Sequence, residues 1–400
     1  MKKKTIAKTG ATMLTMAMLL NGTTVFAAGT NYGTIEGTKT TTFDKYLVMD
    51  SQANVPNAKF SYTVTAGAVK AYNVEGNKFQ VLSGVDADKI TMAGVGTTTA
   101  NTIAYTPGDT TANDENTKVK NYDKTKEKYA LKTATLDFSK VQFTEPGVYR
   151  YIITESGTNQ AITNDANLTR VLDVYVNDAS TEKKLTIAGY VLHASEDEIT
   201  SGEDLGTTET NPEGKSQGFT NEYDTSDLTF KKEVAGNQAS HDKYFKFTVK
   251  ITDAVKGTVY TVDVAGADNQ SGTNDATITE NAGKENVKTM TVEEDGTISH
   301  DFYLQHGQEI KIQGIAKGST YTVTENKEDY KSEAAAVENY KDPTTGTVAS
   351  ADLKTSYLNT RNGAIPTGVI MTVAPFAAVT LLGAAGMVTI KMRKKEDDAE

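Results

Sequence analysis

An all-β chain built as two tandem β-sandwiches is predicted by three observations. Short runs of period-2 alternation recur along the chain, separated by Gly, Asn, Asp and Thr clusters. Those runs are rich in Thr, Val and Tyr, and no stretch between the termini keeps a helical apolar period. The chain has 400 residues. About 340 of them lie between two apolar ends, enough for two domains of ordinary size.

The runs predict strands at residues 59–65, 132–138, 148–154 and 168–176 in the first half. In the second half they fall at 228–234, 244–251, 309–315, 319–324 and 354–359. Regular short strands of this kind suggest sandwiches. The polar, acidic and Gly-rich stretch 195–218 predicts a surface excursion ahead of one last strand near Phe219, and the boundary between halves falls near residues 224–226.

The two ends differ in design. Lys2, Lys3, Lys4 and Lys8 precede a short apolar segment at 11–20 and the small-residue exit Val25-Phe26-Ala27, so residues 1–27 read as a secretory signal peptide. The apolar part is too short to span a bilayer. Residues 369–390 carry no charge and are followed by Lys391, Arg393, Lys394 and Lys395, the pattern of a transmembrane segment with a cytoplasmic tail at 391–400.

Composition removes several classes of function. A net charge of −11, with no basic cluster outside the termini, argues against nucleic acid as a partner. The absence of cysteine excludes thiol chemistry and Cys-based zinc sites. The four histidines are His193, His241, His300 and His306, and the last two lack a third converging ligand. Gly94-Val95-Gly96 lacks the third glycine of a nucleotide-binding loop, and Asp114-Glu115 lacks calcium-loop spacing. No cofactor, no metal and no enzyme are expected.

The two halves echo each other in their misplaced polar groups. Residues two apart on a strand share a face. Lys45 therefore lies with Phe43 and Leu47, and Lys232 with Leu228, Phe230 and Val234, whereas Lys231 falls on the other face. Glu155 lies with Tyr149, Tyr151 and Ile153, and Glu325 with Tyr321 and Val323. Asn221 lies with Phe219 and Tyr223, and Asn359 with Tyr357. Taken singly, these would read as rim lysines, strand-end glutamates and turn asparagines. The same triple occurring twice in the same order points to something else.

A lone buried charge is expensive, and a buried Lys or Glu tends toward its neutral form. A neutral amine is a nucleophile, a carboxylic acid can polarise an amide carbonyl, and an asparagine side chain offers that carbonyl. Attack with loss of ammonia gives a Lys–Asn isopeptide bond, the glutamate carrying the proton from amine to leaving group.

With these residues laid out, the chain resembles the major pilin family typified by the streptococcal shaft pilin, with two isopeptide-forming immunoglobulin-like domains. The likeness covers nearly the whole mature chain. It is carried by Pro146-Gly147-Val148-Tyr149 leading to Thr154-Glu155, by residues 228–236 (LTFKKEVAG), and by Pro366-Thr367-Gly368-Val369 followed by Met371-Thr372-Val373-Ala374-Pro375. The resemblance implies two immunoglobulin-like (CnaB-like) sandwiches at 28–223 and 224–363. It also implies cross-links Lys45–Asn221 and Lys232–Asn359, assisted by Glu155 and Glu325.

Residues 364–368 then stand as a sortase sorting motif, in which Ile365-Pro366-Thr367-Gly368 departs from the common Leu-Pro-x-Thr-Gly form and cleavage falls between Thr367 and Gly368. In this family the next subunit's C-terminal threonine joins a lysine near the end of the first domain, and Lys215 is the matching candidate, making Lys215 and Thr367 the intersubunit joint. The partners so implied are a pilus-specific sortase, further copies of the chain, accessory tip and basal pilins, cell-wall peptidoglycan and a host surface ligand. The expected location is a wall-anchored pilus. A monomeric wall-anchored adhesin with the same domains is the alternative.

Overall fold

Alternation of apolar and polar residues builds two pairs of facing sheets in a computed structural model that describes residues 35–364, apart from 75–76, 117, 120–121, 158, 179–183, 196–215 and 267–285. The described residues form strands, turns and loops, with a 3-10 turn at Ala87–Lys89. No described helix is long and apolar enough to cross a membrane. The segments read as signal peptide and transmembrane anchor lie outside the described residues.

The principal strands before residue 224 are β1 (Thr40–Asp50), β2 (Ala58–Ala66), β3 (Glu127–Asp137), β4 (Gly147–Ser156), β5 (Thr169–Asp178), β6 (Leu185–His193) and β7 (Gly218–Tyr223). An eight-stranded sheet holds β6, β5, β4 and β2 in that order, and a facing six-stranded sheet holds β7, β1 and β3. After residue 224 come β8 (Thr225–Ala235), β9 (Phe245–Thr252), β10 (Val259–Ala265), β11 (Ile298–Leu304), β12 (Glu309–Ala316), β13 (Thr320–Glu325) and β14 (Leu353–Thr360). Here a six-stranded sheet holds β10, β12, β8 and β14, and a four-stranded sheet holds β11, β9 and β13.

The two units share one topological device. Opening and closing strands lie side by side and parallel: β1 with β7, and β8 with β14. The glutamate strands, β4 and β13, run through the opposite sheet. Phe43, Leu47, Tyr149, Ile153, Phe219 and Tyr223 meet in one core, and Leu228, Phe230, Val249, Ile312, Tyr321 and Val323 in the other. Burial of that apolar surface drives the sheets together.

Gly218 explains how β7 comes so close to β1. Its φ is +153°, and a Cβ there would lie 1.7 Å from the Asp44 carbonyl oxygen. Only glycine fits so close an approach.

Two outer faces are also covered, which period-2 reasoning does not foresee. Tyr46 and Val48 on the back of β1 pack with Val119 and Tyr129. Behind β4, the hairpin Lys70–Val74 and Asn77–Ser83 covers a small core of Tyr72, Val81, Val148 and Val171. Arg150 is buried there, forked onto Asp173 with Nε and Nη2 each 2.8 Å from a carboxylate oxygen, and Nη1 donates to Tyr72 Oη at 2.9 Å. His193 Nε2 lies 3.3 Å from the same carboxylate.

The units abut. Asn54 Nδ2 of the first donates to Val259 O at 2.7 Å and Thr261 Oγ1 at 3.2 Å, and Asn57 Nδ2 to Lys256 O at 2.8 Å.

Candidate functional site

Strand register determines which side chains meet. In the β1–β7 ladder Lys45 pairs with Phe219 and Leu47 with Asn221, so Asn221 sits two positions beyond Lys45 on the same face. In the β8–β14 ladder Lys232 pairs with Tyr357 and Val234 with Asn359, the same offset. Because the strands are parallel, this offset brings an amine and an amide together over the core.

In the first unit, Lys45 Nζ lies 2.7 Å from Glu155 Oε2, and the two side chains are 0% and 1% exposed. Lys45 Nζ also donates to Asn221 Oδ1, while Asn221 Nδ2 donates to Glu155 Oε1 at 2.8 Å. Amine, carboxylate and amide thus form a closed ring of contacts. Phe43, Tyr62 and Phe219 pack against one another beside it, and Lys45 Nζ sits 4.1 Å from the Phe60 ring centroid.

In the second unit, Lys232 Nζ lies 2.6 Å from Glu325 Oε1, with both side chains fully buried. Asn359 Nδ2 donates to that same oxygen at 3.0 Å. The carboxylate again bridges amine and amide. Lys232 Nζ lies 4.3 Å from the Phe245 ring centroid.

Desolvation lowers the amine of each lysine from its ordinary value to about 8, against the opposing pull of Glu155 or Glu325. At that value a neutral amine becomes accessible near neutral pH. Lys231, on the other face of β8, instead pairs with Glu233 at 2.9 Å on a partly exposed surface.

Sequence reasoning missed the groups that hold the glutamates and the first asparagine. Tyr62 Oη donates to Glu155 Oε2 at 2.6 Å, and burial pushes that phenol well above its ordinary pKa, so it stays a donor. Ser332 Oγ does the same for Glu325 Oε2 at 2.8 Å. The signal for Tyr62 was present, since it alternates with Phe60 on β2. Nothing local marks Ser332, which reaches the site because Lys331–Ala334 pairs with β14.

Lys215 and the motif Ile365, Pro366, Thr367 and Gly368 lie outside the described residues. The histidines do not converge. His241 stacks on His306 at 4.1 Å between centroids, His306 Nδ1 accepts from Val234 N at 2.9 Å, and His300 packs on Phe302. No group of three metal-ligating side chains occurs among the described residues.

Residues 91–224 match the family described as Spy0128-like isopeptide containing domain, and residues 226–361 match the Domain of unknown function (DUF7601). A curated pilin of Streptococcus pyogenes serotype M1 is 26% identical, covering 94% of this chain and 98% of the relative. The crystal structure of the major pilin from Streptococcus pyogenes shares the fold, with a TM-score of 0.50 at 20% identity over 82% of this chain and 100% of that one. Whole-chain, domain and fold likeness agree: nearly the whole chain is similar to a curated streptococcal pilin, and its residues 91–224 match an isopeptide-containing domain family.

Proposed function

We propose that this chain is the shaft subunit of a sortase-assembled, wall-anchored pilus whose two domains, 28–223 and 224–363, each seal themselves with a Lys–Asn isopeptide bond. The observation that carries this reading is the repeated Lys–Glu–Asn cluster at the same strand offset in both units.

The chemistry follows from the contacts. The ammonium of Lys45 passes one proton to Glu155 across 2.7 Å, leaving a neutral amine. Its lone pair forms a bond to Asn221 Cγ, and the carbonyl π pair moves onto Oδ1. Glu155, hydrogen-bonded to Nδ2 through Oε1, gives that nitrogen a proton and takes one from the attacking amine. The Cγ–Nδ2 bond then breaks, the C=O bond re-forms, and ammonia leaves. Lys232, Glu325 and Asn359 run the same sequence. The glutamates return unchanged once ammonia has taken up the last proton.

Assembly is read from residues outside the described part of the chain. A pilus-specific sortase cleaves between Thr367 and Gly368 and transfers the Thr367 carbonyl to Lys215 of another copy. The terminal subunit goes to peptidoglycan, with tip and basal pilins completing the fibre and a host surface ligand its target.

Intact mass of the fragment 28–363 tests the first part. Two bonds lower it by two ammonia molecules, and a mass equal to that calculated from sequence would refute the cross-links. For assembly, wall extracts should show a ladder of covalent multimers that disappears with Lys215→Ala. Monomer alone in the wild-type extract would favour the monomeric adhesin.

A further inference from the structure

The two clusters differ at the atom where negative charge develops. Asn221 Oδ1, besides its contact with Lys45, accepts from the backbone N–H of Asp165 at 3.3 Å. Asn359 Oδ1 is buried with no hydrogen-bond partner among the described residues. The second N–H of the first amide is also engaged, since Asn221 Nδ2 donates to Asn164 Oδ1 at 3.1 Å. Asn359 Nδ2 donates to Glu325.

The loop that supplies these contacts is anchored. Asp165 Oδ2 accepts from Arg170 Nη2 at 2.6 Å and from Thr220 N at 2.8 Å, one residue before Asn221. Arg170 Nε donates to Gly218 O at 2.7 Å, and its guanidinium lies 4.5 Å from the Phe219 ring centroid. Arg170 thus grips both the loop and the closing strand β7.

We propose that the Asp165 backbone N–H is an oxyanion donor for the first cross-link, that Asn164 and Arg170 are its positioning residues, and that Lys45–Asn221 therefore forms ahead of Lys232–Asn359 in the same chain. This rests on the isopeptide reading above. When the amine adds to Asn221 Cγ, the pair displaced onto Oδ1 meets a donor already in place. On collapse that pair returns to re-form C=O, and ammonia leaves with its proton from Glu155. The second unit carries out the same step with no such donor in place among the described residues.

The test follows both bonds in one chain. Full-length mature protein made by cell-free synthesis is captured in denaturant, diluted to fold, quenched in acid at intervals and digested, and the two cross-linked peptides are quantified by mass spectrometry. Lys45–Asn221 is expected first. Asn164→Ala should slow that bond several-fold, about the effect of one hydrogen bond, and leave Lys232–Asn359 at its own rate as an internal control. Asp165→Asn keeps the N–H and should retain most of the rate, whereas Asp165→Pro removes it and should slow the bond by about 100-fold.

Circular dichroism of each variant in a Lys45→Ala background separates slow chemistry from failure to fold. If the proline variant does not fold, the Asn164→Ala comparison decides. Equal rates for the two bonds, the reverse order, or no effect of Asn164→Ala would overturn the oxyanion assignment while leaving the cross-links standing. Absence of both linked peptides from the wild-type chain would instead overturn the isopeptide reading itself.

Discussion

Lys45 and Lys232 are set apart from the other lysines by the water they have lost. Burial against Phe60 and Phe245 brings each amine down to about 8, and the adjacent glutamate keeps it from falling further. Below about 8 the lysine amine keeps the proton that the reaction shuttles. Above it that proton is lost to solvent. The rate of each cross-link should thus be flat through neutrality and fall about tenfold per pH unit above 8. Quenched-flow mass spectrometry of the folding chain checks this, and a rate that keeps rising above 8 would show an amine activated by solvent base. Replacement of Glu155 or Glu325 by alanine should each abolish one bond, leaving the intact mass one ammonia, rather than two, below the value calculated from the variant's sequence.

Among the elements, the closing strand β7 and the hairpin behind β4 make separate demands. β7 reaches hydrogen-bonding distance of β1 because Gly218 has no side chain to strike Asp44. Gly218→Ala should push β7 outward, slow the Lys45–Asn221 bond and leave Lys232–Asn359 untouched, as read by the linked peptides. Behind β4, Arg150 stays charged in a small apolar core because Asp173 meets it with two hydrogen bonds. Removing one member of a buried pair strands the other. Asp173→Ala should destabilise the first unit by about 3–5 kcal/mol. Urea unfolding in a Lys45→Ala background, where no cross-link masks the loss, measures it.

For the whole molecule, topology would turn the two proposed bonds into two closed loops. Lys45 and Asn221 are 176 residues apart in sequence, so the proposed bond would close nearly all of the first unit. By the chain-entropy relation for cross-links, that amounts to about 5 kcal/mol against the unfolded state. Lys45→Ala should lower thermal and protease resistance accordingly. The mechanical consequence is different. If Lys215 and Thr367 are the joints, tension enters shortly before β8 and leaves after β14, two parallel strands pulled from opposite ends. The Lys232–Asn359 bond bridges that path, while most of the first unit lies off it. Lys232→Ala should make a subunit extensible when pulled between Lys215 and Thr367 in single-molecule force spectroscopy, and Lys45→Ala should not.

Much of this was legible in advance. Period-2 alternation located β2, β4, β5, β8, β9, β12, β13 and β14 to within a few residues, because each has one face on a core. It found the second half of β3 but not its start, and it missed β6, β10 and β11, whose apolar signal is interrupted by glycine or polar residues. The same alternation singled out Lys45, Glu155, Asn221, Lys232, Glu325 and Asn359, since a polar residue on an apolar face is visible in one dimension.

What one dimension lacks is register between strands far apart in the chain. Only the tertiary structure puts Asn221 two positions beyond Lys45 across a parallel ladder, brings Tyr62 and Ser332 to the two glutamates, buries Arg150 beneath a hairpin, and gives the Asn221 carbonyl a backbone N–H that the Asn359 carbonyl lacks among the described residues. Composition and local pattern determine which face a side chain takes. Which partner it meets there depends on long-range packing, and that is where the two otherwise matching clusters part.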